Sequence, residues 1–303
     1  MDVHRKHASH VPVIMGAKKP KLGSLSSGRP PMVKSTRTMS RKASRSLINR
    51  HHQLEKKRRQ ASLSGNRIKE AELAREIESL GGLDQYQQAS LQGQSLDRGG
   101  DTSKILLDWL PLADMKALKG QLRMLEIGSL STKNACSNSG FFDMVNIDLN
   151  SQEPGIEQQD FMERPLPVSD SERFDIISLS LVLNFVPDHG TRGQMLLRTL
   201  SFLRTTSDVS VAQLESTYPS LFLVLPRSCT DNSRYFTEAR LSDIMGSLGY
   251  TRLQSKLTQK LTYSLWKWDG LTRKPASGFS KTELNPGKNR NNFVITLDKK
   301  TSS

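Results

Sequence analysis

From Leu122 onward the chain alternates short apolar runs with amphipathic stretches. Leu122, Met124, Leu125 and Ile127 form one run that stops at Gly128, and Met144-Val145-Asn146-Ile147 forms a second that stops at Asp148. Ile156–Phe161 reads as a weak third strand. Phe174–Val182 is apolar without alternation, as expected of a strand covered on both faces, and Ser220–Pro226 repeats that pattern. Amphipathic stretches fall between them: Thr191–Leu203, and Glu238–Leu248 with Leu241, Ile244, Met245 and Leu248 on one side and Gly249 as the stop. A sixth strand lies within Tyr250–Trp268, and Asn292–Leu297 reads as the last. Strands alternating with helices predict an α/β fold with a Rossmann-like, seven-stranded sheet.

Upstream the period changes from strand-like to helical. Arg41–Gln60 is a basic helix with Leu47, Ile48 and Leu54 on a narrow apolar stripe. Asn66–Leu80 is a stronger one, with Ile68, Leu73, Ile77 and Leu80 placed on one side and Gly81-Gly82 as the stop. Leu83–Gln92 and Ser103–Leu118 read as further helices, the second broken near Pro111. Residues 41–118 therefore predict a helical layer beside a sheet domain at 119–303, which carries a flexible Lys/Pro/Gly-rich insertion at 269–290. Residues 1–40 are rich in Ser, Lys, Arg, Gly and Pro and read as a disordered basic tail.

Charge sharpens this division. The first 70 residues hold 18 lysines and arginines against 3 acids, whereas the formal net charge of the whole chain is +14. A basic arm on a near-neutral body suits a polyanion gripped through phosphates. Lys56, Lys57, Arg58 and Arg59 form a patch of the size used for nuclear import and for nucleic-acid contact. No apolar run reaches the roughly 18 residues of a membrane span, so no membrane partner is expected. Two cysteines, Cys136 and Cys229, are too few for a disulfide framework or a cysteine-rich zinc site. His4, His7 and His10 recur without an acid or thiol beside them, and no metal is expected.

The first two strands carry the chemistry. Gly128 lets the backbone turn sharply beside a ligand, and Asp148, at the end of the next strand, suits the two hydroxyls of a ribose. A dinucleotide site uses G-x-G-x-x-G to seat a pyrophosphate, and Gly128-Ser129-Leu130-Ser131 offers one glycine. The Glu126-Ile127-Gly128 turn with a strand-end acid fits S-adenosylmethionine, a nucleoside without phosphate. An ordinary βαβ turn would use the same residues to end a strand. Asp160 and Phe161 suit the adenine amino group and ring face, and equally a plain turn.

Beyond Phe174–Val182, Asn184 and Phe185 suit a substrate base, one bonding its edge and the other stacking on it, or a strand-end turn. Asp188 and His189 are candidate proton acceptors. The loop after Ser220–Pro226 offers Arg227, Arg234 and Tyr235 to an unpaired nucleotide, or forms a polar loop with Phe236 in the core.

The strings LLDWL, LEIGSLS, VNIDLNS, QQDF, SLSLVLNFVPD, FLVLPRSCTDNSRYFT and NRNNFVITL resemble the fungal 25S ribosomal RNA adenine-N1 methyltransferase family, and GGLDQYQQASLQGQ with DRGGDTSKILLDWL extends the similarity upstream. The resemblance implies a methyltransferase sheet and an S-adenosylmethionine site at Gly128 and Asp148. It further implies methylation of N1 of one adenine in large-subunit ribosomal RNA or a pre-ribosomal particle, in the nucleus and nucleolus. The rival expectation is a non-catalytic sensor of the same fold that binds the methyl donor and reports it to protein partners; +15 in the first 70 residues favours RNA.

Overall fold

A computed structural model of the protein describes residues 41–82, 100–151, 153–205, 212–271 and 278–298. The tail at 1–40 and the helix expected at Leu83–Gln92 lie outside the described residues.

Helix α1 (Arg41–Leu63) and helix α2 (Arg67–Ser79) form an antiparallel pair joined at Ser64-Gly65-Asn66, where the Asn66 side chain accepts from the Lys69 amide and caps α2. Leu54 and Ala61 of α1 meet Leu73, Ile77 and Leu80 of α2 in a small cluster of their own. Ile68, expected on the same side, is 76% exposed. Five positions before Leu73, it lies about 140° away around a helix of 3.6 residues per turn. The break near Pro111 is as expected: α3 (Ser103–Trp109) stops before it and α4 (Leu112–Lys116) resumes after it.

The sheet is built from β1 (Leu122–Ile127), β2 (Phe142–Asp148), β3 (Ile156–Gln158), β4 (Ile176–Ser180), β5 (Ser220–Pro226), β6 (Tyr250–Leu257) and β7 (Leu261–Trp268), with a short helix α5 (Ala135–Asn138) between β1 and β2. Their order is β3-β2-β1-β4-β5-β7-β6. The first five are parallel and β7 runs antiparallel between β5 and β6. This is a Rossmann-like α/β sheet whose order reverses beside β1, so the ligand crevice is expected beyond the carboxyl ends of β1, β2 and β4.

Strand alternation sends neighbouring residues to opposite faces. Leu125, Ile127, Ile177, Leu179, Leu221 and Leu223 join α6 (His189–Phe202) and α9 (Glu238–Ser247) in one core, which also takes in Phe161, Phe293 and Ile295. Leu122, Met124, Ile176, Phe222 and Val224 join Leu106, Met115 and Leu214 in the other. Leu214 belongs to α7 (Ala212–Thr217), and α8 (Arg227–Asp231) follows β5.

Two strand assignments need correction. Tyr250–Trp268 holds two strands, a hairpin turning at Thr258-Gln259-Lys260, where the Thr258 amide and hydroxyl both bond the Leu261 carbonyl. Asn292–Leu297 is no strand of the sheet. It is an extended segment packed on α6, held by the Thr296 amide on the His189 carbonyl and by bridges at Asn291 and Leu297. Residues 278–298 accordingly fold back on the domain; the described part of the expected flexible insertion is mostly exposed, with Phe279 buried and the Leu284 and Asn285 amides bonded to the Arg234 carbonyl.

Candidate functional site

The crevice at the switch point is a cavity of about 480 Å³, inside the range of small-ligand pockets. Its floor comes from β1 and β2. Gly128 adopts φ +74°, a conformation open to glycine, and its amide and that of Ser129 both donate to the Ile147 carbonyl at 2.8 and 3.0 Å. A Cβ on Gly128 would lie 2.7 Å from the Val182 Cγ2, so any side chain there would collide with the wall opposite. Asp148 lines the cavity at the end of β2, and its carboxylate accepts from the Asn150 amide at 2.8 Å. The sequence pairing of Gly128 with Asp148 is thus a spatial pairing as well.

Asp160 and Phe161 line the next sector. The Asp160 carboxylate accepts from the Met162 amide at 2.7 Å. Phe161 is 2% exposed and its ring packs 5.2 Å from that of Phe202, so it is mostly core. Leu149 and Met162 are the other apolar side chains of that sector.

Glu126, expected at the donor, is not among the cavity's lining residues. Strand alternation turns it away from Ile127, and its carboxylate accepts from the Asn134 side chain at 2.7 Å. Burial pushes its pKa up to about 7, the Asn134 hydrogen bond opposes this, and the nearby charge of Asp101 adds to the rise.

The opposite wall follows β4. Leu181 has φ +60° and is the single non-glycine with positive φ among the described residues. Strain of that kind, about 1–3 kcal/mol, persists where surrounding structure enforces it and clusters at functional sites. Leu181, Val182, Phe185, Val186 and Pro187 all face the cavity. Asn184 does not line it, yet its side-chain oxygen is buried and has no hydrogen-bond partner. An orphaned buried acceptor costs roughly 1–3 kcal/mol, so one beside a cavity is a candidate for a ligand's N–H. Asp188 and His189 have other tasks. The Asp188 carboxylate accepts from the Thr191 amide and caps α6, and the His189 Nδ1 pairs with the Thr296 hydroxyl at 2.8 Å.

The basic residues scatter. Arg227 pairs with Asp231 at 2.5 Å. Arg234 donates to the Gly287 carbonyl and the Asn292 side chain, and lies 3.7 Å from Glu283. Tyr235 has the Arg234 guanidinium 5.9 Å and the Lys281 ammonium 4.5 Å from its ring. Of the two arginines this loop was expected to offer, Arg234 therefore holds residues 283–292 and Arg227 is tied to Asp231 and the Thr258 carbonyl. On α1, Lys57 is exposed, the side chains of Lys56 and Arg59 lie outside the described set, and Arg58 turns to the cavity.

Three residues of α1 line the cavity: His51, Glu55 and Arg58. Their spacing, i, i+4 and i+7, sets them on one helical face. Arg58 Nε donates to the Glu55 carboxylate at 3.0 Å. Burial holds the His51 imidazole below the usual histidine range, with Glu55 opposing and Arg58 adding to the shift. Sequence reading missed His51 and Glu55, because helical periodicity says which residues share a face and not what that face meets.

Residues 71–295 match the family model described as Bmt2, 25S rRNA (adenine(2142)-N(1))-methyltransferase. The chain is similar to a 25S rRNA (adenine(2142)-N(1))-methyltransferase of Saccharomyces cerevisiae, 41% identical over 223 residues that cover 73% of this chain and 62% of that relative. A 25S rRNA adenine-N(1) methyltransferase of Schizosaccharomyces pombe is 37% identical over 254 residues, covering 82% of this chain and 89% of that one. Among solved structures, an rRNA methylase from Escherichia coli aligns with a TM-score of 0.37 at 13% identity, over 77% of this chain and 93% of that one.

Proposed function

Because this chain belongs to the Bmt2 family of 25S rRNA adenine-N1 methyltransferases, we propose that its crevice binds S-adenosylmethionine and methylates N1 of an adenine in large-subunit ribosomal RNA. The observation that carries this is the joint placement of Gly128, Asp148 and Asp160 around one cavity at the carboxyl edge of the parallel strands.

The residues present fit the donor. Asp148 would accept from the ribose hydroxyls and Asp160 from the adenine amine, while Leu149 and Met162 cover the ring and the Gly128 turn leaves room for close approach. S-adenosylmethionine supplies an electrophilic methyl on sulfur. The protein's task is to place an adenine N1 in line with it, and such alignment is worth up to about 7–11 kcal/mol of the barrier. Asn184 Oδ1 would accept from the exocyclic amine of the target adenine, turning the neighbouring N1 lone pair toward the cavity. Phe185 would stack on the base. That lone pair is unprotonated at neutral pH, so no general base is needed, which agrees with the structural roles of Asp188 and His189. In the transfer the N1–C bond forms as the C–S bond breaks, the sulfonium becomes a thioether, and the adenine takes the positive charge. N1 lies on the pairing edge, so the target must be single-stranded or flipped out.

The basic stretch through residue 70 would hold the RNA by its phosphates, and the same clusters favour a nuclear, nucleolar site of action, which imaging of a tagged chain checks. Incubation with labelled donor and unmodified ribosomal RNA, followed by nucleoside analysis, tests the activity. Label in 1-methyladenosine is the expected result, and label confined to protein or absent altogether would overturn it.

A further inference from the structure

Helix α1 lies outside the residues matched by the family model, yet it supplies part of the cavity wall. Its apolar side chains Leu54 and Ala61 are buried against α2, in a cluster separate from the two cores that flank the sheet. The helix therefore has its own hydrophobic support, and polar and charged residues make its approach to the cavity. It is also the most basic element described: eight lysines and arginines against one acid between Arg41 and Leu63. One helix thus presents a charged face to a nucleoside pocket and carries a strong positive charge overall.

We propose that α1 is a wall shared by two ligands: His51, Glu55 and Arg58 close the donor cavity, while the exposed Lys57 meets RNA phosphate on a helix of net positive charge, so that each ligand tightens the other. This rests on the donor reading above. The physical reason is that the helix loses freedom when either ligand binds. A wall with separate support can shift relative to the sheet, and whichever ligand holds it first spares the second that ordering cost. Reciprocity follows from thermodynamics: the factor by which RNA raises donor affinity is the factor by which donor raises RNA affinity. Within the wall, the Glu55–Arg58 pair is the element to test. Its removal leaves the net charge of the helix unchanged, so the general attraction for RNA persists.

The experiment is calorimetric titration of S-adenosylhomocysteine into the full chain, alone and with a saturating single-stranded, adenine-containing RNA oligonucleotide. Threefold or greater tightening by RNA is expected in the unmodified chain, and less than threefold in Glu55→Ala/Arg58→Ala. Less than threefold tightening in the unmodified chain overturns the proposal, as does full coupling in the double variant. Thermal unfolding verifies that the variant is folded, and His51→Gln, which keeps a polar side chain of similar reach, serves if it is not, with the same threshold. Asp148→Ala separates the two levels. If that variant binds S-adenosylhomocysteine as well as the unmodified chain does, the donor reading itself fails. If it loses binding while the α1 variants keep coupling, the shared wall alone fails.

Discussion

Two rims at the carboxyl edge of the same sheet differ in how their polar residues are used. Beyond β1, β2 and β4, Asp148 and Asp160 open onto a cavity, and the Asn184 oxygen is buried without a partner. Beyond β5, Arg227 and Arg234 are tied to Asp231, Gly287 and Asn292. The second rim has more charge and less of it to offer a ligand. A charged residue in a loop is available to a ligand only where the fold turns it toward open space, and here Arg227 is turned to Asp231 and the Thr258 carbonyl while Arg234 is turned to the returning segment at residues 283–292.

The contrast predicts a graded set of effects. Asp148→Ala should remove donor binding, a loss of 100-fold or more in S-adenosylhomocysteine affinity by calorimetry; unchanged affinity would break the contrast outright. Gly128→Ala forces a Cβ against Val182 at a φ that costs about 1–2 kcal/mol in an L-residue, so donor affinity should fall about tenfold and the melting temperature should drop. Asn184→Ala should lower kcat about tenfold or more while donor affinity stays within twofold, since on the proposed function its buried, unpartnered oxygen would accept from the substrate base. Deleting residues 1–40 should weaken RNA binding and flatten its dependence on salt with donor affinity unchanged, because fewer phosphates are neutralised. Arg227→Ala should change RNA affinity less than twofold, its guanidinium already being paired.

A pH test concerns Glu126. Its folded pKa, near 7, stands above the ordinary 4.5, so the folded state holds a proton that the unfolded state has released between those values. Its contribution is fully present below pH 4.5 and lost as pH rises to about 7. Glu126→Gln should flatten that decline, raising the melting temperature at pH 8 by roughly 5 °C relative to the unmodified chain.

Much of this was legible in the sequence, for reasons that differ by element. Strand β2 and its closing acid could be read because an apolar run ends in one carboxylate, and the turn at Gly128 because a glycine closing an apolar run marks a positive-φ position. The β6–β7 hairpin was hidden by its turn: Thr258-Gln259-Lys260 contains none of the Gly, Asn or Pro signals that mark one. Asn292–Leu297 has strand composition but finds its partners on α6, and no local pattern distinguishes those two fates. The α1 wall was illegible for the same reason, since it depends on where a helix docks.

Arg192 lies within the first turn of α6, donating to the Val186 carbonyl at 2.8 Å and the Val294 carbonyl at 2.7 Å, with its guanidinium 4.4 Å from the Phe293 ring. Beside it, a Cβ on Gly193 would fall 1.9 Å from the Thr296 carbonyl oxygen, so the helix and the returning backbone touch without any side chain between them. This arginine works as a buckle between the last stretch of polypeptide and the Phe185–Pro187 loop. A chain shortened to end at residue 290 would keep all seven strands yet lose this tie to the Phe185–Pro187 loop, so on the proposed function the segment at 291–297 helps hold the rim that a substrate base would meet.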